Sequence, residues 1–196
     1  MSCEYRINEM CLTLQGEGVN TGVAMVLLRF QGCNLQCSFC DTDHSGTPGG
    51  VFTDAASLAE SVSALWSGDG PVNVLCTGGE PLLQLDPPLI EEFTGRGFRI
   101  FLETNGTIKA PGGIHWITVS PKERDIRQEH GAELKLLWPL EDLNPGMFRE
   151  MDFRYFLLQP IWNDDYHENL RTAIDFCRRN PQWRLSLQTH RYTGIK

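Results

Sequence analysis

Cys33, Cys37 and Cys40 stand in a Cys-x3-Cys-x2-Cys array, within Gly32-Cys33-Asn34-Leu35-Gln36-Cys37-Ser38-Phe39-Cys40-Asp41-Thr42. Three thiolates on one short loop can hold three irons of a four-iron cluster, which takes four cysteines when fully ligated. The fourth iron is then open to an outside ligand. A structural zinc is the rival chemistry: it wants four ligands, and Asp41 or His44 can supply the last one. Three core cysteines are a poorer reading, because polar residues separate them. Cys76 and Cys177 fall on apolar faces and read as small hydrophobes, while Cys3 and Cys11 have no partner spacing. Seven cysteines, odd in number and unevenly clustered, favour metal or redox chemistry over a disulfide framework in a chain with no export signal.

A second cluster of chemistry-bearing residues is Thr77-Gly78-Gly79-Glu80-Pro81. Paired glycines let backbone come close to a ligand, and a carboxylate there can accept hydrogen bonds from an ammonium. Taken alone, the segment is equally a turn with a surface glutamate. Arg29 interrupts an apolar run, which is costly unless the charge is paired; it is a two-pronged carboxylate donor or a strand-end arginine reaching solvent.

These groups need elements to hold them. Val23 to Phe30 is a short apolar run that reads as a strand buried on both faces. Similar strands are expected at 72–76, 98–102, 116–119, 134–137, 155–158 and 184–188. Leu58, Val62 and Leu65 recur at helical spacing, so 54–66 is expected to be a helix, with Asp54 as its cap. A short helix over 88–93 stops near Gly95 and Gly97. The clearest helix runs from 165 to 179, with Tyr166, Leu170, Ile174 and Cys177 on one face and Pro181 closing it. Strands separated by crossover helices imply a parallel sheet. The polar motifs repeatedly follow strands, where ligands bind in parallel α/β folds. Too few helices remain for a closed eight-fold barrel, and an open partial barrel fits.

Composition narrows the classes. The chain has 196 residues, 41% of them apolar, with 17 basic against 25 acidic residues and a formal net charge of -8. That length and content suit one domain, 1–196. An acidic surface argues against general nucleic-acid binding. No basic start precedes an apolar stretch, and no run approaches the about 20 apolar residues of a membrane span, so a cytoplasmic protein that engages neither membrane nor nucleic acid is expected. The charges of Glu123 to Gly131 read as a solvated loop.

The cysteine array coupled to Gly78-Gly79-Glu80 resembles the radical S-adenosylmethionine (SAM) superfamily, in which a Gly-Gly-Glu segment meets the amino end of SAM. Leu14-Gln15-Gly16-Glu17-Gly18, Arg29, Cys40-Asp41-Thr42, Glu103-Thr104-Asn105-Gly106, Ser120-Pro121-Lys122, Gln159-Pro160-Ile161 and the tail from Arg184 to Tyr192 are together similar to the 7-carboxy-7-deazaguanine synthase family of queuosine biosynthesis. The likeness runs from Tyr5 to Ile195.

The resemblance implies a homodimeric α/β protein, an open partial β/α barrel of the radical SAM type with about six parallel strands and few helices. It implies a [4Fe-4S] cluster on Cys33, Cys37 and Cys40, with SAM chelating the open iron. Gly78, Gly79, Glu80, Ser120, Pro121 and Lys122 would hold SAM, with Ser38 and Phe39 near its adenosyl part and Gln159 a further contact. The implied substrate is 6-carboxy-5,6,7,8-tetrahydropterin, met by Leu14, Gln15, Gly16, Arg29 and Thr77, with Gln188 and His190 as weaker matches. Thr42 matches a magnesium-binding threonine. Magnesium takes few oxygens from protein and the rest from substrate and water, although the same hydroxyl also suits a turn after Asp41. Glu103 can accept hydrogen bonds from the amino-pyrimidine edge of a pterin, or simply pair with a lysine. His190 is a substrate contact or a surface histidine.

The implied reaction is reductive cleavage of SAM, removal of hydrogen from C6 of the pterin, ring contraction and loss of ammonia, with SAM regenerated. An external electron donor such as a flavodoxin or ferredoxin is implied too. Two rivals share these features: a glycyl-radical activase acting on a protein, and a non-catalytic zinc module. Some relatives carry longer inserts after Thr42 and after Lys122, which bears on where a reductant docks.

Overall fold

The computed structural model describes residues 4–195. Strand β1 (Tyr5–Leu14) pairs antiparallel with β2 (Ala24–Phe30) and, on its other side, with the short β3 (Gly50–Phe52). Helix α1 (Ala55–Leu65) follows, then β4 (Asn73–Gly78), α2 (Pro87–Gly95), β5 (Arg99–Thr104), β6 (Trp116–Val119), β7 (His130–Trp138), β8 (Asp152–Pro160), α3 (Tyr166–Arg179), β9 (Trp183–Leu185) and the single turn α4 (His190–Thr193). The sheet has nine strands in the order β3-β1-β2-β4-β5-β6-β7-β8-β9. Every pairing from β2 onward is parallel. The architecture is an open α/β barrel with few helices, carrying seven parallel strands and an antiparallel hairpin edge.

Helix ends follow local chemistry. Asp54 caps α1 by accepting the Ser57 N–H at 2.7 Å, as its place before the apolar repeat predicts. Asp86 caps α2 by accepting the Leu89 N–H and also takes the Tyr5 hydroxyl, tying the helix to β1. On α3 the buried face is Tyr166, Asn169 and Ala173, and Ile174 is exposed; this corrects the expected apolar face by one position. Asn169 is buried because its amide donates to the Ile161 carbonyl and to Asn163 Oδ1, which holds the loop between β8 and α3 in place.

Apolar side chains sort into three groups. One lies under α1 and α2 against β1, β2, β4 and β5. A second lies under α3 against β7, β8 and β9. A third fills the concave side with Met25, Leu27, Leu75 and Phe101. The stretch from Glu123 is only partly solvated: Ile126 and Gln128 are buried, and Gln128 bonds the Ala110 N–H and the His130 carbonyl. Cys3 lies outside the described residues. No described cysteine is disulfide-bonded, and no described helix is long and apolar enough to cross a membrane.

Candidate functional site

The carboxyl ends of the parallel strands open onto one cavity of about 470 Å³. Register builds its wall. Arg29 lies opposite Thr77 across β2 and β4, Thr77 bonds Glu103 at the end of β5, and Leu137 lies opposite Gln159 across β7 and β8.

The loop after β2 carries the three cysteines to this cavity, and all three line it. A bond from the Gly32 N–H to the His44 carbonyl closes the loop. Asn34 ties it to the end of β5, accepting from Asn105 Nδ2 at 3.0 Å and donating to Thr107 Oγ1 at 2.8 Å. The Leu35 N–H points at Cys33 Sγ, 3.4 Å away, a backbone donor of the kind that stabilises a ligating thiolate. Burial pushes the Cys37 thiol up, and Lys122 opposes that shift. Among the described residues no three His, Cys, Asp or Glu side chains converge on a single ion. Three thiolates carried on one loop and lining the cavity are the donor set that a four-iron cluster with one open iron takes.

Gly78 and Gly79 line the cavity, but what they approach so closely is the chain itself. A Cβ on Gly78, whose φ is +133°, would meet the Phe30 carbonyl oxygen at 2.3 Å; one on Gly79 would meet the Gly32 oxygen at 2.0 Å and Cys33 Cβ at 2.9 Å. The glycines let β4 seat the cysteine loop.

Glu80 departs from the expectation that its carboxylate meets an ammonium. It is fully buried, outside the cavity lining, and accepts from Thr104 Oγ1, the Asn105 N–H and the Leu82 N–H at 2.8, 2.8 and 3.0 Å. Burial pushes its pKa up against those bonds. It organises the cysteine loop through Asn105 instead of presenting a free carboxylate. Ser38, which is exposed, and Pro121, which is buried, are also absent from the lining, although their neighbours Phe39, Ser120 and Lys122 are part of it. Lys122 donates to Ser120 Oγ at 2.9 Å, and burial, reinforced by Lys135, lowers its pKa.

The remaining expected residues Leu14, Gln15, Gly16, Arg29, Thr42, Thr77, Glu103, Gln159, Gln188 and His190 all line the cavity. Arg29 is paired, its Nε 3.2 Å from Glu9 Oε2. Thr42 donates to Asp41 Oδ1 at 3.2 Å. Glu103 does pair with a lysine, Lys135, at 3.2 Å, while its other oxygen accepts from Thr77 at 3.1 Å and Gln15 donates to Oε1 at 3.3 Å. Lys135 also bonds Glu17. Burial alone would raise the Glu17 pKa, but the adjacent ammonium, with Gln188 and Gln159, holds it down at about 2. The same carboxylates hold the Lys135 ammonium above the ordinary lysine value, although burial opposes it.

The tail crosses the cavity mouth. Thr189 donates its N–H and its hydroxyl to the Gly16 carbonyl. A Cβ on Gly16 would strike His190 Nδ1 at 2.4 Å, so only glycine lets the histidine sit there. Gln188 donates to Glu17 and to Asp41, and Arg191 reaches Asp41 at 2.9 Å while lying over the Trp162 ring. Burial resists ionisation of Asp41, and these donors overcome it, lowering its pKa.

Sequence reasoning missed Lys135 and Trp162 as site residues, and gave Asn105 and Arg191 only as parts of motifs. Lys135 was detectable. It sits between Leu134 and Leu136 in an apolar strand, the same pattern that singles out Arg29.

Comparison with known proteins agrees with this geometry. Residues 27–121 match the Radical SAM superfamily. The chain is 48% identical to the 7-carboxy-7-deazaguanine synthase of Caulobacter vibrioides, over 97% of this chain and 99% of that protein. It is 46% identical to the same enzyme from Bordetella pertussis, at 97% and 99% coverage. The crystal structure of QueE from Escherichia coli superposes with a TM-score of 0.71 at 29% identity, covering 95% of each chain. The superfamily implies a [4Fe-4S] cluster and SAM, and the three cysteines supply a donor set for the cluster. The chain is an enzyme of the 7-carboxy-7-deazaguanine synthase family within the radical SAM superfamily.

Proposed function

We propose that this cavity converts 6-carboxy-5,6,7,8-tetrahydropterin to 7-carboxy-7-deazaguanine with loss of ammonia. The observation that carries this reading is the shared cavity: three cysteines and the Arg29, Thr77 and Glu103 row line one space of about 470 Å³, the size of a small-molecule site. Cys33, Cys37 and Cys40 would hold the cluster, with Phe39, Gly78, Gly79, Ser120, Lys122 and Gln159 around SAM. Bound there, cluster and SAM supply the radical that takes hydrogen from the substrate.

The chain's own work is positioning and exclusion of water. Arg29 offers a planar donor to the substrate carboxylate. Thr42 offers a hard oxygen to a magnesium ion completed by substrate and water. Glu103 already accepts three bonds, two at Oε1 and one at Oε2; a carboxylate has about four lone-pair sites, so it can still receive one pterin N–H. Gln188, His190 and Arg191 close the mouth. Residues 1–196 act as one radical SAM domain in the cytoplasm, reduced by a flavodoxin- or ferredoxin-like donor, with no nucleic acid or membrane involved. The chain works as a homodimer, and exposed Leu12, Leu14, Val19 and Val23 offer apolar surface to a second copy.

The test is turnover by anaerobically reconstituted protein given the pterin, SAM, magnesium and dithionite. The deazapurine is expected by mass spectrometry from protein holding about four irons per chain. A cluster-loaded protein that makes none overturns the proposal.

A further inference from the structure

Lys135 has no counterpart among the motifs that define the site, yet it lines the same cavity. Its side chain is 5% exposed, while Leu134 and Leu136 beside it point into the core under α3. Its ammonium joins two carboxylates from distant parts of the chain, Glu17 in the loop after β1 and Glu103 at the end of β5. The other partners fix orientation. Glu17 Oε1 accepts from Gln188 at 2.9 Å, and Glu103 Oε2 accepts from Thr77 at 3.1 Å.

A purely stabilising role does not explain this arrangement. A buried ion pair is often no better for stability than apolar residues of the same volume, and this one faces a cavity. What the ammonium does achieve is chemical. Two carboxylates that approach each other repel; an ammonium bonded to both offsets that repulsion and holds them side by side. An ionised carboxylate only accepts hydrogen bonds, so the cavity floor becomes a surface of acceptors with fixed directions.

We infer that Lys135 is a positioning residue that holds Glu17 and Glu103 as a paired N–H acceptor, making the floor selective for a ligand edge that donates adjacent N–H groups over one that presents a carbonyl there. The inference rests on the proposed substrate class, whose 2-amino-pyrimidinone edge is such a donor. A carbonyl in place of the amino group would face carboxylate oxygen with no proton between them.

Binding reads this directly and does not require turnover. Calorimetry on the cluster-loaded protein with SAM compares 6-carboxypterin with 6-carboxylumazine, which carries a carbonyl in place of the 2-amino group. The wild type is expected to bind the pterin at least about tenfold more tightly, the scale of one charged hydrogen bond lost against a mismatched group. Lys135→Met is expected to lose most of that preference and to raise KM more than it lowers kcat, with the response of the reduced cluster to SAM unchanged. Where Lys135→Met does not fold, the double variant Glu17→Gln/Lys135→Met removes one carboxylate with the lysine and is expected to lose the preference too. Lys135→Arg, which keeps the charge, is expected to retain part of it. A wild type with no preference, or a folded Lys135→Met or double variant that keeps it, overturns the inference. Failure of the wild type to turn over the tetrahydropterin sinks the proposed function instead, and the binding comparison still decides the role of Lys135.

Discussion

The carboxylate of Glu80 accepts the backbone N–H of Asn105 at 2.8 Å, joining the end of β4 to the end of β5 beneath the cysteine loop. Asn105 in turn donates to Asn34, one residue after Cys33. The carboxylate of the Gly-Gly-Glu turn is thus a structural brace whose far end is a cysteine-bearing loop.

Glu80→Ala leaves a hydroxyl and two backbone N–H groups without their acceptor. The expected cost is about 2–4 kcal/mol, a fall of roughly 5–15 °C in the thermal midpoint. A thermal melt by circular dichroism measures it; a shift within about 2 °C of wild type, the size expected of an ordinary surface substitution, contradicts the brace.

Gly79→Ala tests the seat of the cysteine loop. The new methyl would overlap the Gly32 carbonyl and crowd Cys33, and neither can yield without moving the loop. The chain is expected to fold, at a cost of about 1–3 kcal/mol, but to hold far less iron after reconstitution. Iron analysis beside the wild type decides; full loading contradicts the steric account.

Acid should dissolve the carboxylate network from Glu17 outward. Its folded pKa is depressed from 4.5 to about 2, so its contribution is present above pH 4.5 and is lost as the pH falls toward 2. Lys135, raised above its ordinary 10.5, contributes fully below that value and adds no loss in the acid window. Denaturant titrations between pH 6 and 2.5, on the order of one point per half unit as resolution of the window requires, should show the difference between wild type and Glu17→Gln shrinking as the pH falls. A difference independent of pH contradicts an ionised, ion-paired Glu17.

Thr42→Ala should leave folding and iron content near wild type and abolish most of the response of turnover to added magnesium, since the hydroxyl is the proposed protein ligand. Turnover measured with magnesium and with a chelator separates the cases; an unaltered magnesium response removes Thr42 from that role.

The parts of this fold that follow from the sequence are those whose burial is uniform. Ala24–Phe30 and Asn73–Gly78 are buried on both faces and read as apolar runs. β1 does not, because Asn8 and Glu9 interrupt its alternation, its register shifts between Ile7 and Glu9, and only Tyr5 and Ile7 in it are buried. Short β3 and α4 carry too few residues to show a period. At the site, the cysteines were legible because their spacing is local. The pairing of Glu17 with Lys135 spans 118 positions and that of Asp41 with Arg191 spans 150, so each depends on how strands are ordered in the sheet. The paired glycines at 78 and 79 read from the sequence as a backbone approach to a ligand; the folded chain shows that the atoms they approach belong to Phe30, Gly32 and Cys33.

The central claim is that one cavity sets the C6–H bond of a carboxylated tetrahydropterin against SAM. Turnover of substrate deuterated at C6, followed by mass spectrometry of the recovered SAM and 5'-deoxyadenosine, tests it most directly. The account predicts deuterium in the adenosyl group of the recovered SAM and 5'-deoxyadenosine. Product formed with no deuterium in either adenosyl compound would contradict it.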